Sequence, residues 1–197
     1  KESFKKNIDL WYDEYLKNGL DAIISNTSGC GTTLKDYGFI FREDKELKKK
    51  AKKISDLTRD ISEFLGENLK LNFKKEKNSK KYNIAYHSAC SMQHGQNVHK
   101  QPIDLLKKTG NTILNIPDGH ICCGSAGTYN ILHADIAKKL LKQKVENINK
   151  VKPDLISTGN VGCMMQIANG VNIPIVHTVE LIDWYTGGPK PRSLGKI

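Results

Sequence analysis

The residues best suited to chemistry in this sequence are sulfurs: Cys90, the adjacent pair Cys122 and Cys123, and Cys163, with Cys30 well upstream. Thiolates are soft ligands that select iron–sulfur clusters, zinc or copper(I). Four of them brought in from separate strand ends suffice for an iron–sulfur cluster. Neighbouring cysteines on a regular strand point to opposite faces, so Cys122 and Cys123 serve one centre only if the backbone turns sharply between them. Gly124, with Gly127 soon after, supplies the freedom for that turn. Small residues around the cysteines, among them Ser28, Gly29, Gly31, Ala89, Ser125, Ala126 and Gly162, leave room for an inorganic core and offer it backbone N–H groups. A helix starting near Thr128 would aim its amide end at the sulfurs and favour negative charge there.

Two other chemistries compete. Zinc also accepts four thiolates, which makes a structural zinc-binding interaction domain the alternative, although the paired C-x2-C knuckles of such domains are absent. Cys122 with Cys123 or with Cys163 also has the makings of a cycling dithiol. An odd number of cysteines with two adjacent is a poor disulfide framework, so reduced thiols in a cytoplasmic protein are expected.

His87 and His120 lie three and two residues from a cysteine, close enough to donate a hydrogen bond to a ligand sulfur or to be ligands themselves, with loop capping the plainer role. His94, between Gln93 and Gln96, is placed to face a partner or a quinone. His99, His133 and His177 have no such company, and packing is the expected role of Met164 and Met165.

The elements that must position these groups follow from periodicity. Apolar residues at helical spacing over 4–20 are followed by a short buried strand over 21–25 and then Cys30. A second helical pattern runs from 43 to 71, with Ile54, Leu57, Ile61, Phe64 and Leu65 on one face. The polar stretch 72–81 reads as a linker. A strand over 82–86 then runs into Cys90. A helix over 103–108, a strand over 112–116 and the Cys-Cys-Gly loop follow, and a long helix is expected over 128–149. A strand over 154–158 leads to Cys163, and the chain closes with a short helix, a strand over 173–177 and a helix over 178–185. Strands alternating with helices predict an α/β fold with a mostly parallel sheet, and ligands of such sheets gather beyond the carboxyl ends of strands, where the cysteine loops lie.

The 197 residues carry a formal charge of +10. Most of the excess is lysine in solvated runs without interleaved aromatics, and arginine is scarce, so no specific nucleic-acid binding is expected. The surface suits anionic lipid or an acidic partner subunit. No apolar run approaches the roughly 20 residues that span a bilayer.

The chain also echoes itself. Asp21-Ala-Ile-Ile-Ser-Asn-Thr-Ser-Gly-Cys30 matches Asp154-Leu-Ile-Ser-Thr-Gly-Asn-Val-Gly-Cys163 in length, with Asp first and Gly-Cys last. Duplication explains both. The expected organisation is the closing part of a first unit over 1–71, the linker, and a complete second unit over 82–197. The opening of the first unit is expected to lie outside this sequence, which starts at Lys1.

Cys90, the string Cys122-Cys123-Gly124 and the closing Gly162-Cys163 together resemble the CCG cysteine-rich repeat, usually present twice in heterodisulfide reductase and in subunits of glycolate, lactate and glycerol-3-phosphate dehydrogenases. His87-Ser-Ala-Cys-Ser-Met-Gln-His-Gly-Gln96, Cys122-Cys-Gly-Ser-Ala-Gly-Thr-Tyr129 and Gly159-Asn-Val-Gly-Cys163 are most similar to the glycolate oxidase iron–sulfur subunits. So is Thr27-Ser-Gly-Cys-Gly31. The resemblance implies two pseudo-repeated α/β units and a cluster, of 4Fe–4S type, held by Cys90, Cys122, Cys123 and Cys163. His87, His120, Gly124 and Asn160 would support it. It also implies electron relay from a flavin-bearing oxidase subunit toward the respiratory chain, with the isolated chain inactive alone. The expected location is the cytoplasm, peripheral to the inner membrane face. Lactate, glycerol-3-phosphate or heterodisulfide reductase-like complexes are the implied alternatives. Two departures stand out. Asn160 and Thr27 replace the first cysteine of each closing C-x2-C pair, and the N-terminal ferredoxin-like region of such subunits is not found. Cys30 is therefore expected to be a cofactor ligand whose partner residues lie upstream.

Overall fold

The computed structural model describes residues 2–74 and 80–195. It is an α/β structure with parallel strands in two sheets. In chain order the elements are α1 (Glu2–Asn18), β1 (Ile23–Ser25), α2 (Ser28–Lys35), α3 (Tyr37–Ile40), α4 (Lys48–Leu57), β2 (Thr58–Asp60), α5 (Ile61–Asn68), β3 (Asn83–Tyr86), α6 (Lys100–Lys108) and β4 (Thr112–Leu114). They continue with α7 (Tyr129–Leu132), α8 (Ala134–Lys150), β5 (Leu155–Thr158), α9 (Val161–Ala168), β6 (Ile175–His177) and α10 (Thr178–Thr186). Of the expected linker, residues 75–79 lie outside the described residues.

The larger sheet has the strand order β4-β3-β5-β6, every pair parallel. Side chains alternate across it, as a pleated strand requires. Ile84, Tyr86 and Leu155 pack with Leu105, Leu106, Leu181 and Ile182 under α6 and α10. Ala85 and Ile156 face the other way, against Ile148 of α8 and Ile167 of α9. From β3 the chain moves outward to β4, then returns to the other side of β3 to form β5. That reversal opens a crevice at the carboxyl ends of β3 and β5, where doubly wound sheets bind ligands.

The smaller sheet pairs β1 with β2 in parallel. Ile8 of α1, Tyr37, Phe41, Ala51 and Ile54 form its separate core. Here the structure corrects the continuous helix expected over 43–71. The chain leaves α4 at Thr58, forms β2 beside β1, and re-enters a helix at Ile61. Asp60 enforces the break: its carboxylate accepts from the Ser62 N–H at 2.8 Å, while its own N–H donates to Glu63 Oε2 at 3.1 Å, a capping box. The helix expected over 128–149 is likewise interrupted, at His133, whose backbone (φ −128°, ψ 56°) separates α7 from α8.

The two sheets meet along a polar seam centred on Ser28. Its Oγ lies 2.8 Å from Ser91 Oγ and accepts from Asn160 Nδ2 at 2.8 Å. Its carbonyl accepts from Gln96 Nε2 at 2.8 Å, and its N–H donates to Gly159 O at 3.2 Å.

Candidate metal centre

Cys90 opens the turn that leaves β3, and the His87 N–H donates to Ser157 O at 2.8 Å, tying that turn to β5. Cys163 is the third residue of α9, directly beyond β5. Asn160 caps this helix, its Oδ1 accepting from the Cys163 N–H at 3.0 Å. Cys122 and Cys123 arrive from β4 in a loop that turns at Gly124, where φ is +89°. A β-carbon there would lie 2.5 Å from Ala137 O, so the loop has room only for glycine against α8. The turn aims both neighbouring sulfurs inward.

The four sulfurs converge on one cavity of about 340 Å³, walled by Cys90, Cys122, Cys123 and Cys163 with Gly29 and Asn160 on the seam side. Cys123 Sγ lies 3.3 Å from Cys163 Sγ. The Gly124 N–H points at Cys122 Sγ from 3.3 Å, and the Ser125 N–H serves Cys123. The amides at the sulfurs thus come from the Gly124 turn, not from the helix expected near Thr128.

Protons are divided unevenly within this group. The Cys123 and Cys90 thiols donate to Cys122 and hold it strongly in the thiolate form. Cys163, accepting from Cys123 and lying beside His87, is pushed down to about 5. Cys90 and Cys123 are pushed up by the same sharing and by burial. Thiolate character is thus favoured at Cys122 and Cys163, and a metal entering the group displaces whatever protons its sulfurs hold.

His87 is 1% exposed; among the described residues neither ring nitrogen makes a hydrogen bond of ordinary geometry, and the ring lies beside the Cys163 sulfur. Its ligand atoms and those of Cys123 and Cys163 lie within 4.8 Å of one another. A buried imidazole without an ordinary hydrogen bond calls for an explanation, and a metal at this site provides one. His120 is exposed and only its carbonyl is engaged, accepting from Gln93 Nε2 at 3.4 Å. Gln96 does not share a face with His94: it is buried in the seam on Ser28. Met165, expected to pack, is 69% exposed. His177, given no role, caps α10 by accepting from the Val179 N–H at 3.2 Å.

Cys30 occupies the position in α2 that Cys163 occupies in α9, third in a helix directly beyond a parallel strand. The residues before these helices match closely, Thr27 at φ −131° and ψ 114° and Asn160 at φ −140° and ψ 116°. Cys30 is nevertheless exposed and absent from the walls of the cavity.

One group had escaped the sequence. Lys144 of α8 is 1% exposed and donates to the carbonyls of Asp118 and Gly119, each at 3.2 Å. Burial lowers its affinity for a proton, while the neighbouring sulfurs of Cys123, Cys90 and Cys122 and the Asp118 carboxylate work in the opposite direction. Its signal was a position in line with buried Ala137 and Ile148 on α8.

Comparison with known proteins brings a family into view. Residues 84–168 match the CCG cysteine-rich domain. The chain is 34% identical over 181 residues to the glycolate oxidase iron–sulfur subunit of Escherichia coli (strain K12), covering 91% of this chain and 43% of that protein. It is 29% identical over 170 residues to lactate utilization protein A of Geobacillus sp. (strain WCH70), covering 83% of this chain and 70% of the relative. A probable glycolate oxidase iron–sulfur subunit of Bacillus subtilis (strain 168) is 28% identical over 173 residues, 38% of its length. The chain thus spans less than half the length of both glycolate oxidase relatives.

Proposed function

We propose, from the premise that this chain carries a CCG cysteine-rich domain, that it is the iron–sulfur-binding part of an electron-transfer subunit serving a flavin-dependent 2-hydroxy-acid oxidoreductase. The observation that carries this is the convergence of Cys90, Cys122, Cys123 and Cys163 on one cavity at the crevice between β3 and β5. Glycolate is the favoured substrate of the partner, by likeness to the glycolate oxidase iron–sulfur subunits, with lactate the alternative.

Four thiolates would hold a cluster, of 4Fe–4S type, which stores and passes single electrons. The chain's own residues prepare that site. Gly124 turns the loop so that both adjacent cysteines face inward, and its N–H meets Cys122. Asn160 fixes the first turn of α9 and so the direction of Cys163. His87 is buried beside Cys123 and Cys163, where its imidazole would face the bound group. Ser28, through Asn160 and Ser91, holds the first sheet against the mouth of the cavity. By its equivalence to Cys163, Cys30 would belong to a second ligand set whose other members lie upstream, in the opening part of the first unit. No helix among the described residues is long and apolar enough to cross a membrane, and the lysine-rich surface fits peripheral contact with a membrane from the cytoplasm.

A second reading has its own support. His87, Cys123 and Cys163 are close enough together to hold a single zinc ion with one further ligand. Anaerobic reconstitution with iron and sulfide separates the two. The cluster reading expects a brown protein with acid-labile sulfide and an EPR signal on reduction, lost in Cys122→Ala. Tight zinc uptake with no retained sulfide would overturn it.

A further inference from the structure

The structure assigns Lys144 to the centre as its buried counter-charge: we infer that its ammonium offsets the negative charge of the four-thiolate group and thereby raises the reduction potential of what is bound there. This rests on the cluster reading above for the nature of the bound group, though not for the role of the charge.

Lys144 lies in the middle of α8, 1% exposed, on the face turned to the core. Lysine is almost never fully buried unless paired, and a buried charge without a partner is costly. Among the described residues Lys144 makes no ion pair with a carboxylate: Asp118 offers it a backbone carbonyl and turns its Oδ2 to Asn147 Nδ2 at 3.4 Å. The two carbonyls that receive the ammonium are neutral, and both belong to the loop that carries Cys122 and Cys123. The groups that favour its charge are first Cys123, Cys90 and Cys122, and after them Asp118. Among the described residues the ammonium is thus held by neutral oxygens, on the loop that delivers Cys122 and Cys123 to the centre. An iron–sulfur core held by four thiolates is net negative, and so is a zinc ion held by His87, Cys123, Cys163 and a further thiolate; either supplies the missing partner.

Reduction adds a further negative charge to the centre, so a nearby buried cation favours the reduced form. Its removal lowers the potential, and the low polarity of the surroundings makes the effect large. Lys144 also ties the 118–119 carbonyls, so a purely mechanical role has to be distinguished from an electrostatic one.

The test compares wild type with Lys144→Gln, Lys144→Met and Lys144→Arg after reconstitution with iron and sulfide. Midpoint potential is read by EPR-monitored titration on the loaded fraction of each. Both neutral variants should shift the reduction equilibrium at least tenfold toward the oxidised form, a fall of 59 mV or more for one electron. Lys144→Arg should restore most of it. A neutral variant that loads less cluster but leaves the potential of the loaded fraction unchanged would show a mechanical tie only and overturn the inference. If wild type holds no sulfide, the cluster reading fails by itself, and the same variants are compared by cobalt(II) affinity. Tenfold or greater weakening in both neutral variants, with recovery in Lys144→Arg, then supports the counter-charge, and equal affinities refute it.

Discussion

Cys123 Sγ and Cys163 Sγ stand 3.3 Å apart although forty residues separate them in the chain. One comes from the loop beyond β4 and the other from the first turn of α9, so two crossovers of the larger sheet end at a single pair of sulfurs. Replacing either with alanine should remove the bound iron, to below about a tenth of wild type, because a four-thiolate cluster does not tolerate a missing ligand. Cys30→Ala should leave iron and sulfide content unchanged, since that thiol is exposed and outside the cavity. Colorimetric iron and sulfide assays on the three variants check both statements.

Gly124→Ala should be costly for the fold as well as the site. An alanine at φ +89° carries a penalty of about 1–2 kcal/mol, and its β-carbon meets the Ala137 carbonyl besides. A loss of about 2 kcal/mol or more is expected, seen as a thermal midpoint lower by roughly 4–8 °C. Gly127→Ala, at φ +65° with open space around it, should lose less. Parallel thermal melts of the two apoproteins decide this.

The uneven sharing of protons predicts a distinctive response to pH. Cys122 is held as thiolate by the thiols beside it. Its alkylation rate in the apoprotein should stay nearly flat from pH 8 to pH 6, whereas an ordinary thiol slows about tenfold per unit. Cys163 is depressed to about 5, so its contribution to stability is present above the ordinary thiol range and is lost as pH falls through about 5. The stability gap between wild type and Cys163→Ser should therefore shrink from pH 8 to pH 5. Mass-resolved alkylation and urea unfolding measure the two effects.

Asn160 does two things with one amide: its oxygen caps α9 at the Cys163 N–H, and its nitrogen donates to Ser28 Oγ. Asn160→Ala should cost about 1 kcal/mol for the cap alone. Asn160→Asp keeps the acceptor but loses the donor, so it should fall between wild type and alanine in both melting temperature and cluster retention. A variant order with aspartate below alanine would contradict this division of labour.

Much of the larger sheet was legible in the sequence because its signals were local and mutually consistent. Residues 154–163 pass from an apolar run through Gly159 into a helix with Asn160 at its start, and the structure places β5 and α9 there. The hidden break at Thr58–Asp60 is a different matter. Ile54, Leu57, Ile61 and Phe64 keep helical spacing across it, and only the Asp60-x-x-Glu63 capping pattern marked the restart. The break at His133 had no glycine or proline to announce it. Lys144 was obscured by its own type, since a lysine in a lysine-rich helix is ordinarily a solvated one.

The seam between the sheets carries a consequence for chimaeras. A β-carbon on Gly31 would lie 2.6 Å from Gln96 Nε2, and one on Gly95 would lie 2.7 Å from Thr32 Oγ1. Each half of the molecule thus keeps a glycine-sized notch for a side chain of the other, and Ser28 with Asn160 adds a third interlock. The two halves fit each other as lock and key. A side chain at 31 would displace Gln96, and one at 95 would displace Thr32, so a chimaera joining halves from two distant relatives has to match these pairs across the seam.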